Sequence, residues 1–435
     1  MRGLLLKSRR LSSPSISRKP RPSPGLVQVI LICLLIRLLL DTSYQVFSPF
    51  LPILAQGMGL SIVALASLVS LRTAMGIIAP LFGALADRIG YRPVLLLSLF
   101  LSGLALILMG AASSLWVVAI GMIVLGIGTV GFGPALMAYL SDRLPSSRRA
   151  RGLGVVEYSW ALSSLIGVSL TGLLIEQWGW RVPFFVLGIG LMIGCVVLGS
   201  WDFTAGAHPA TSRPSTTVPE SSLERLRSTF SLGSDNRSTW STVLLMGLVG
   251  FSGMHVSIMY GTWLHAEYSL GAARLGIVAL IIGVADLSGS VLVSLVGDRL
   301  GRRTTLLLGI VGSLAAYSLL PFLNRGLVAS VVGIAAFRFC FEVSTVGCAP
   351  LLSELATRQR GKAFAVGLLS GLAGYSVAGL TGPAAYASHG VSGLGVVSAT
   401  TSVVSLMVLL FMIKMPSQSK RDEGLVLTPE SGTPR

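Results

Sequence analysis

The stretch Gly83-Ala-Leu-Ala-Asp87-Arg88-Ile-Gly90-Tyr91-Arg92 recurs as Ser294-Leu-Val-Gly-Asp298-Arg299-Leu-Gly301-Arg302-Arg303. Each copy ends one long apolar run and begins the next, and both contain Asp-Arg-x-Gly followed by basic residues. Asp298 lies 211 positions after Asp87, close to half of the 435 residues. A repeat of this length between apolar runs predicts two homologous halves.

The composition is that of a protein that crosses a membrane many times. Of the residues, 52% are hydrophobic and 11% are charged, whereas soluble proteins carry about 25% charged residues. Several apolar runs exceed the roughly 18–20 residues with which a helix crosses a bilayer. Because lipid cannot satisfy an open backbone, these runs must be helical. The sequence therefore predicts an all-α membrane protein with twelve transmembrane helices in two pseudo-symmetric six-helix halves.

The predicted spans form two groups of six. The N-terminal half, residues 25–201, contains spans near 26–54, 61–85, 93–113, 115–140, 152–175 and 181–201. The C-terminal half, residues 240–414, contains spans near 240–264, 274–296, 303–323, 327–352, 363–387 and 391–413. The polar remainder is predicted to be an N-terminal tail at 1–24, a linker at 202–239 and a C-terminal tail at 415–435.

The basic residues predict which side of the membrane each loop faces. The tails, the linker and the loops after even-numbered spans carry 27 Lys and Arg residues, and the opposite loops carry only Arg181, Arg274 and Arg325. Basic loops stay in the cytoplasm, so both termini are predicted to be cytoplasmic, in a multi-pass protein of the plasma (cell inner) membrane. The same distribution accounts for the net charge of +16, which therefore does not indicate a nucleic-acid partner.

With these features the chain resembles the major facilitator superfamily over nearly its whole length. The family signature after span 2 is matched by Gly83, Leu85, Asp87, Arg88, Gly90 and Arg92. Its partner after span 8 keeps Asp298, Arg299, Gly301, Arg302 and Arg303, with Ser294 replacing the first glycine. The resemblance implies a solute carrier whose two halves rock around a central site.

The resemblance also implies that the repeated motif latches the cytoplasmic ends of the halves together. Asp87, near a helix end, can accept hydrogen bonds from the N-terminal amides of a neighbouring helix, and Arg88 can pair with an acid or a lipid phosphate. The alternative is that these charges set only topology and turn geometry. The predicted latch residues, with control concentrated at Asp87, are Gly83, Asp87, Arg88, Gly90, Arg92, Asp298, Arg299, Gly301 and Arg302.

Ionisable residues inside the spans form a second set of candidates. Such groups are costly in lipid and mark pathways for substrates or ions. Arg37 with Asp41, and Arg338 with Glu342, have the i, i+4 spacing of an ion pair within one helix. Asp41 and Glu342 are the predicted proton-coupling carboxylates; the alternative is that the pairs are static staples. The full set for substrate or proton coupling is Arg37, Asp41, Arg72, Asp286, Arg338, Glu342 and His255.

Four further residues receive weaker interpretations. Glu157 lies about one turn into span 5, which favours a gate or interfacial position over substrate contact. Trp263 fits either a cavity wall or an aromatic belt at the membrane surface. Pro49 and its neighbour Pro52 are expected to kink the outer end of span 1.

The predicted function is secondary active transport of a small solute by alternating access, coupled to protons, with export slightly favoured over uptake of a metabolite. An anionic substrate would favour the arginines as its binding groups and a cationic one the carboxylates, and the sequence does not choose between them.

Met122 occupies a position where drug–proton antiporters carry arginine, which argues against that type of transporter. A non-transporting membrane sensor or scaffold is the alternative. The chain has no enzyme motif or metal-ligand spacing, so no enzyme, cofactor or metal is expected. The predicted partners are a small-molecule substrate, protons and the lipid bilayer, in a monomer.

Overall fold

The computed structural model describes residues 26–143, 155–200, 236–356 and 360–414. The predicted tails and most of the predicted linker lie outside these ranges, although Asn236 already begins a helix inside the predicted linker. Every regular element within the described ranges is a helix. The expected all-helical class is therefore confirmed for this part of the chain.

The helices are numbered here in chain order. The first segment, residues 26–200, contains α1 Leu26–Gln45, α2 Phe47–Gly57, α3 Ile62–Ala74, a 3₁₀ turn Met75–Ile78, α4 Ala79–Ile89, α5 Tyr91–Gly110, α6 Leu115–Arg143, α7 Ser159–Leu162, a π-helix Ser163–Val168, α8 Ser169–Trp178 and α9 Val182–Ser200. The second segment, residues 236–414, contains α10 Asn236–Tyr268, α11 Ala272–Leu300, α12 Arg302–Leu323, α13 Leu327–Leu355, α14 Arg360–Met407 and a π-helix Val408–Met412.

Ten helical stretches of the described residues are long and apolar enough to cross a membrane. A shorter apolar helix, Ile62–Ile78, joins them, and α4 continues it toward Ile89. The longest stretch contains α14, which is interrupted by non-helical backbone at His389 and Gly390. The side chains of many helical residues that face outward are apolar, such as Leu295, which is 69% exposed. These faces suit a lipid environment.

Breaks in the helices lie close to prolines and to the middle of the fold. α1 gives way to α2 at Val46. Pro49 has no N–H to donate to the carbonyl of Gln45, so the helix loses a hydrogen bond there. The prediction of a bend at this end of span 1 agrees with this break. The π-helix Ser163–Val168 interrupts the fifth apolar stretch, and such distortions are frequent at functional sites.

Residues with positive φ recur at a nearly constant offset. In the described ranges there are three such residues in each segment, forming the pairs Gly59 with Ser269, Gly90 with Gly301, and Gly179 with Gly390. The second member follows the first by 210 residues in the first pair and by 211 in the other two. The offset matches that between Asp87 and Asp298. The turns of the first segment are thus repeated in the second.

The glycine of the repeated motif has a backbone role. Gly90 (φ 88°, ψ 161°) and Gly301 (φ 83°, ψ 145°) have nearly the same conformation. Each donates its N–H to the carbonyl four residues earlier, Ala86 or Gly297, and the next helix begins directly after it. This region of φ and ψ is open essentially only to glycine. The motif therefore carries glycine because the turn between the helices requires it.

Candidate functional site

A cavity of about 430 Å³ lies between the first and the second segment. Its walls come from α1, α2, α3, α7 and the adjoining π-helix on one side, and from α10, α11, α13 and α14 on the other. Four charged residues line it: Arg72, Glu157, Arg338 and Glu342. Five aromatic residues also line it: Tyr44, Trp160, Tyr260, Phe341 and Tyr375. The cavity thus combines a few charged side chains with large apolar surfaces.

Arg72, on α3, is buried at the cavity wall. Its guanidinium carbon lies 4.1 Å from the ring centre of Tyr44 and 4.9 Å from that of Phe47. Nη2 donates a hydrogen bond to the Tyr44 carbonyl oxygen at 3.1 Å. Nε and Nη1 are buried and have no hydrogen-bond partner. No carboxylate of the described residues comes within the 4.0 Å of an ion pair. Arg72 is therefore a buried cation without a counter-charge.

Arg37 binds two carboxylates. Its Nε lies 3.7 Å from Asp41 Oδ2, so the predicted pair on α1 forms, and its Nη1 lies 3.1 Å from Glu157 Oε1. Ser159 Oγ donates to Asp41 Oδ2 at 2.6 Å. Glu157 also lines the cavity, so its interpretation as a gate or interfacial residue stays a prediction. This group joins α1 to the fifth apolar stretch and contains one cation and two anions.

Arg338 pairs with Asp286 of α11 and not with Glu342 of its own helix. Arg338 Nη2 lies 2.5 Å from Asp286 Oδ2, and Nε donates to Oδ1 at 3.0 Å. Nη1 donates to Ser257 Oγ at 3.0 Å. The prediction of an ion pair inside α13 is wrong because both oxygens of Asp286 face the fork of the guanidinium. Two parallel hydrogen bonds of this kind outweigh a single contact along a helix.

Glu342 faces the cavity without a basic partner. Ser290 Oγ of α11 donates to its Oε1 at 2.7 Å. Within the described ranges, no Lys or Arg nitrogen lies within 4.0 Å of its carboxylate. The carboxylate is thus held by one hydroxyl and remains open to the cavity.

Two predicted candidates have structural partners away from the cavity lining. His255 is fully buried; its ring nitrogens lie 2.8 Å from the Phe251 carbonyl oxygen and from Thr381 Oγ1. Trp263 is also fully buried and donates to Asn324 Oδ1 at 2.9 Å. Neither residue lines the cavity. The interpretation of Trp263 as part of a surface belt is wrong, because the indole packs inside the helices.

The basic ends of the repeated motif bind inside their own segments. Arg92 Nη2 donates to the Gly199 carbonyl oxygen at 2.6 Å, and Arg303 Nη2 donates to the Leu410 carbonyl oxygen at 3.0 Å. Both partners in the second contact lie 211 residues after those in the first. In each case a cation meets carbonyl groups near a helix C-terminus, a favourable arrangement. Arg303, which was not among the predicted latch residues, is therefore the structural counterpart of Arg92.

The other motif residues differ in what they contact. Arg302 forms an ion pair with Glu354 at 3.0 Å. Arg88 and Arg299 are exposed. The structure does not describe the side chains of Asp87 and Asp298 or the surroundings of Gly83. α4, which carries the first motif, packs against α5 and α6.

Known proteins support the family resemblance. The family description "Major Facilitator Superfamily" matches residues 33–285 and 242–431. The chain belongs to the major facilitator superfamily. This transporter family consists of multi-pass integral membrane proteins, so the predicted class of membrane transport protein is confirmed.

Individual superfamily members show moderate similarity. The uncharacterized MFS-type transporter YwfA of Bacillus subtilis is 24% identical over 87% of this chain and 91% of that protein. The multidrug resistance protein MdtG of Salmonella arizonae is 25% identical over 73% of this chain and 77% of its own length. Among solved structures, a D-xylose–proton symporter has a TM-score of 0.72 at 18% identity, covering 90% of this chain and 98% of that one.

A second solved structure is an inward-facing, unoccupied bacterial homologue of the human lysosomal transporter Spinster. It has a TM-score of 0.66 at 17% identity and covers 90% of this chain and 96% of its own. At these identities the two structures show the superfamily fold alone.

Proposed function

We propose that this chain is a secondary active transporter that moves a small solute by alternating access and is coupled to protons. The observation that carries the proposal is the cavity between the two segments, whose ionisable side chains come from both. A site shared by two bodies can be exposed to either side when the bodies rock against each other. The superfamily supplies the transport class, and the charges in the cavity support coupling to an ion.

The topology that we propose has twelve spans in two pseudo-symmetric six-helix halves. Ten candidate spans become twelve when α14 is divided at Gly390 and the continuous stretch from Ile62 to Ile89 is added. The repeated turns at an offset of 211 residues support the two halves. The basic loops support cytoplasmic termini in the plasma membrane. A monomer contains both walls of the cavity.

The contacts between the segments support a state that is closed toward the outside. Ser169 Oγ donates to the Gly276 carbonyl oxygen at 3.0 Å, and the Ala273 N–H donates to Glu176 Oε2 at 3.2 Å. Gly261 packs against the backbone at Pro49 so closely that a Cβ would clash. These contacts lie toward the loops that carry few basic residues. The proposed cavity therefore opens toward the cytoplasm in this state.

Glu342 and Asp41 are the proposed proton-binding groups. Glu342 shares the cavity with the solute and is held by Ser290 alone among the contacts described. Around Arg37, two carboxylates face one guanidinium, which leaves a surplus negative charge that a proton can neutralise. Protonation of Glu342 would change the charge of the cavity wall, and protonation of Asp41 would change the charge of the group that includes Glu157 on that wall. Either change links proton binding to the affinity for a solute.

Transport by Glu342→Gln in proteoliposomes with an imposed pH gradient tests this proposal. We expect gradient-driven accumulation of the identified solute to be lost while solute exchange continues, because glutamine keeps the shape but cannot carry a proton. Glu267→Gln, which alters an exposed acid outside the cavity, is the matched control. Unchanged accumulation by Glu342→Gln would exclude this residue from coupling. Accumulation that ignores the gradient in the unmodified protein would exclude proton coupling itself.

Export is the proposed direction, and uptake of a metabolite is the second candidate. Relatives at 25% identity are named multidrug resistance proteins. An apolar pocket of about 80 Å³ joins the main cavity through Thr345, Leu368 and Tyr375. A pocket of this kind favours lipophilic solutes, which many exporters handle. Uptake and efflux of one radiolabelled solute in oriented vesicles distinguish the two directions.

The latch at the repeated motif also remains a proposal. α4 carries Asp87 and Arg88 on the side that we assign to the cytoplasm. In the state described, the contacts of α2 and α8 with the second segment lie on the opposite side, so a latch at the motif would close in the alternate state. Arg92 and Arg303 are better explained as supports within each half, because both bind carbonyl groups of their own segment.

A further inference from the structure

Three arginines are embedded in the apolar helices around the cavity, and two of them are neutralised. Arg338 is paired with Asp286, and Arg37 is held by Asp41 and Glu157. Arg72 is the exception within the described ranges: it lies against aromatic rings and a carbonyl oxygen, with no carboxylate within ion-pair distance. Among the described residues, Arg72 is thus a buried guanidinium whose positive charge has no carboxylate partner.

An uncompensated charge of this kind is costly. A buried ionised group without a counter-charge costs several kcal/mol even after the surroundings relax. Contacts between a cation and aromatic rings return about 0.5–2 kcal/mol each, and the single hydrogen bond to Tyr44 satisfies one of five N–H donors. The contacts around Arg72 therefore leave a large part of its charge and hydrogen-bonding capacity unused.

The position of Arg72 indicates what could supply the missing charge. The residue lines the cavity, so a solute in the cavity meets it directly. Arg72 Nε and Nη1 are the unpartnered nitrogens, and rotation about the side-chain torsions would turn them toward a bound anion. A planar carboxylate suits a guanidinium because two of its oxygens can accept parallel hydrogen bonds.

The remaining walls indicate the rest of the solute. Tyr44, Trp160 and Phe341 contribute flat apolar surfaces, and the adjoining apolar pocket extends the same space. Apolar walls with a few polar groups are the usual design of a small-molecule site, in which the polar groups set orientation. An apolar body can occupy this space while one charged end is fixed at the wall.

We infer that the transported solute is an amphipathic carboxylate, with its anionic group bound by Arg72 and its apolar body packed against the aromatic wall. The inference rests on the proposed transport function and names the substrate class of that cavity. Glu342, which has no basic partner in the described chain, faces the same cavity. A purely cationic solute would leave Arg72 uncompensated and is disfavoured for that reason.

The test is direct binding to the purified full chain in lipid nanodiscs, measured by scintillation proximity with radiolabelled phenylbutyrate. Competition by unlabelled phenylbutyrate is compared with that by phenylbutanamide and phenylbutylamine, which have the same apolar body with a neutral or a cationic end. We expect the carboxylate to bind at least about tenfold more tightly than either analogue, a difference of about 1.4 kcal/mol.

Variants at Arg72 separate charge recognition from a structural role. We expect Arg72→Gln to abolish the preference for the carboxylate and Arg72→Lys to retain part of it, because lysine keeps the charge without the planar fork. Arg274→Gln removes one positive charge from an exposed position and is the matched control. Thermal unfolding of each variant in detergent shows whether it is folded; if Arg72→Gln is not, the comparison is made between Arg72→Lys and the unmodified protein.

Three results would overturn the inference: no binding of phenylbutyrate by the unmodified protein, equal binding of the amide or amine, or an unchanged preference in the Arg72 variants. Because binding is measured without a gradient, these results do not depend on transport. Carboxylate binding through Arg72 without any movement across proteoliposomes would support the site and contradict the transport function. If instead the protein transported solutes that lack an anionic group, and Arg72→Gln did not affect that transport, the transport function would be supported and the carboxylate site contradicted.

Discussion

The two helical segments share their turns but not the charged residues that line the cavity. Gly90 and Gly301 have the same backbone conformation, and the contact of Arg92 with Gly199 is repeated by Arg303 with Leu410. The ionisable residues at the cavity show no such repeat: Arg72 and Arg338 lie 266 positions apart, not 211. The positions that determine backbone geometry are common to both segments, whereas the charged positions that line the cavity differ between them.

The two cavity arginines show this difference most clearly. Arg338 forms two hydrogen bonds with Asp286 and one with Ser257, so its charge is compensated inside the second segment. Arg72 has one hydrogen bond, to the Tyr44 carbonyl oxygen. The second segment thus contributes an arginine that is neutralised by an ion pair, and the first contributes an arginine whose charge can interact with a bound solute. Variants that remove either charge, or that change the repeated turns, test this difference.

The largest expected effect follows from breaking the ion pair. Asp286→Asn leaves Arg338 buried without its counter-charge, and removing one partner of a buried pair costs about 3–5 kcal/mol. Arg72→Gln is expected to leave stability unchanged or to raise it, because it removes a charge that was never compensated. Denaturation in detergent, followed by the fluorescence of the tryptophans, measures both variants.

The double variant Asp286→Asn with Arg338→Gln is the control for this prediction. It removes both charges and is expected to recover part of the loss. If Asp286→Asn and Arg72→Gln prove equally destabilising, the contrast between the two arginines is not real.

A smaller and symmetric effect is expected at the repeated turns. Gly90→Ala and Gly301→Ala place a Cβ in a backbone region that costs about 1–3 kcal/mol for residues other than glycine. The space around both positions is open, so the cost comes from the backbone alone. Gly361→Ala, in the first turn of α14, also has open space but ordinary helical backbone, and is expected to be neutral or stabilising by up to about 1 kcal/mol. Losses that differ strongly between the two turns would contradict their equivalence.

The smallest expected effect concerns the contacts that close the cavity on the outer side and the proposed latch on the cytoplasmic side. Glu176→Gln weakens the contact with the N–H of Ala273 at the start of α11, a contact between an acid and a helix N-terminus worth about 0.3–1 kcal/mol. We expect it to favour opening toward the outside, whereas Asp87→Asn is expected to favour the inward-open state by weakening the proposed latch.

Labelling of a single cysteine at Val168, which lines the cavity, measures both shifts in a chain whose natural cysteines have been replaced. Accessibility from outside should rise with Glu176→Gln and fall with Asp87→Asn. Glu267→Gln is the control and should change neither. Shifts in the same direction would show that the two acids do not act at opposite ends of one equilibrium.

Part of the site could be predicted from the sequence because charges inside apolar runs are visible there. Of the seven predicted candidates, three line the cavity, Arg72, Arg338 and Glu342, and four do not, Arg37, Asp41, Asp286 and His255. The i, i+4 pair of Arg37 and Asp41 forms. The partner of Arg338 was predicted incorrectly because Asp286 is 52 positions away and reaches it only through the packing of α11 against α13. Spacing along one helix reports on neighbours in that helix and carries no information on neighbouring helices.

Two other contacts could not be predicted for the same reason, because they join helices that are far apart in the chain. Glu157 lines the cavity and forms an ion pair with Arg37 across the contact between α1 and the fifth apolar stretch, 120 positions apart in the chain. His255 carried the signal of a buried ionisable group, but Thr381 and the Phe251 carbonyl satisfy both of its nitrogens. A buried polar residue has a function or a partner, and only the three-dimensional contacts distinguish the two.

The sequence alone determined that this protein crosses a membrane many times and that one motif, with Gly90 and Gly301 in it, recurs at an offset of 211 positions. These properties follow from local hydropathy and from residue identity, which short stretches of sequence contain. The positive φ at Gly90 and Gly301, which requires glycine there, was seen only in the structure. Only the tertiary structure decided which charges are neutralised. Ion pairing depends on distances between helices far apart in the chain, and those distances leave Arg338 compensated and Arg72 with its charge open to the cavity.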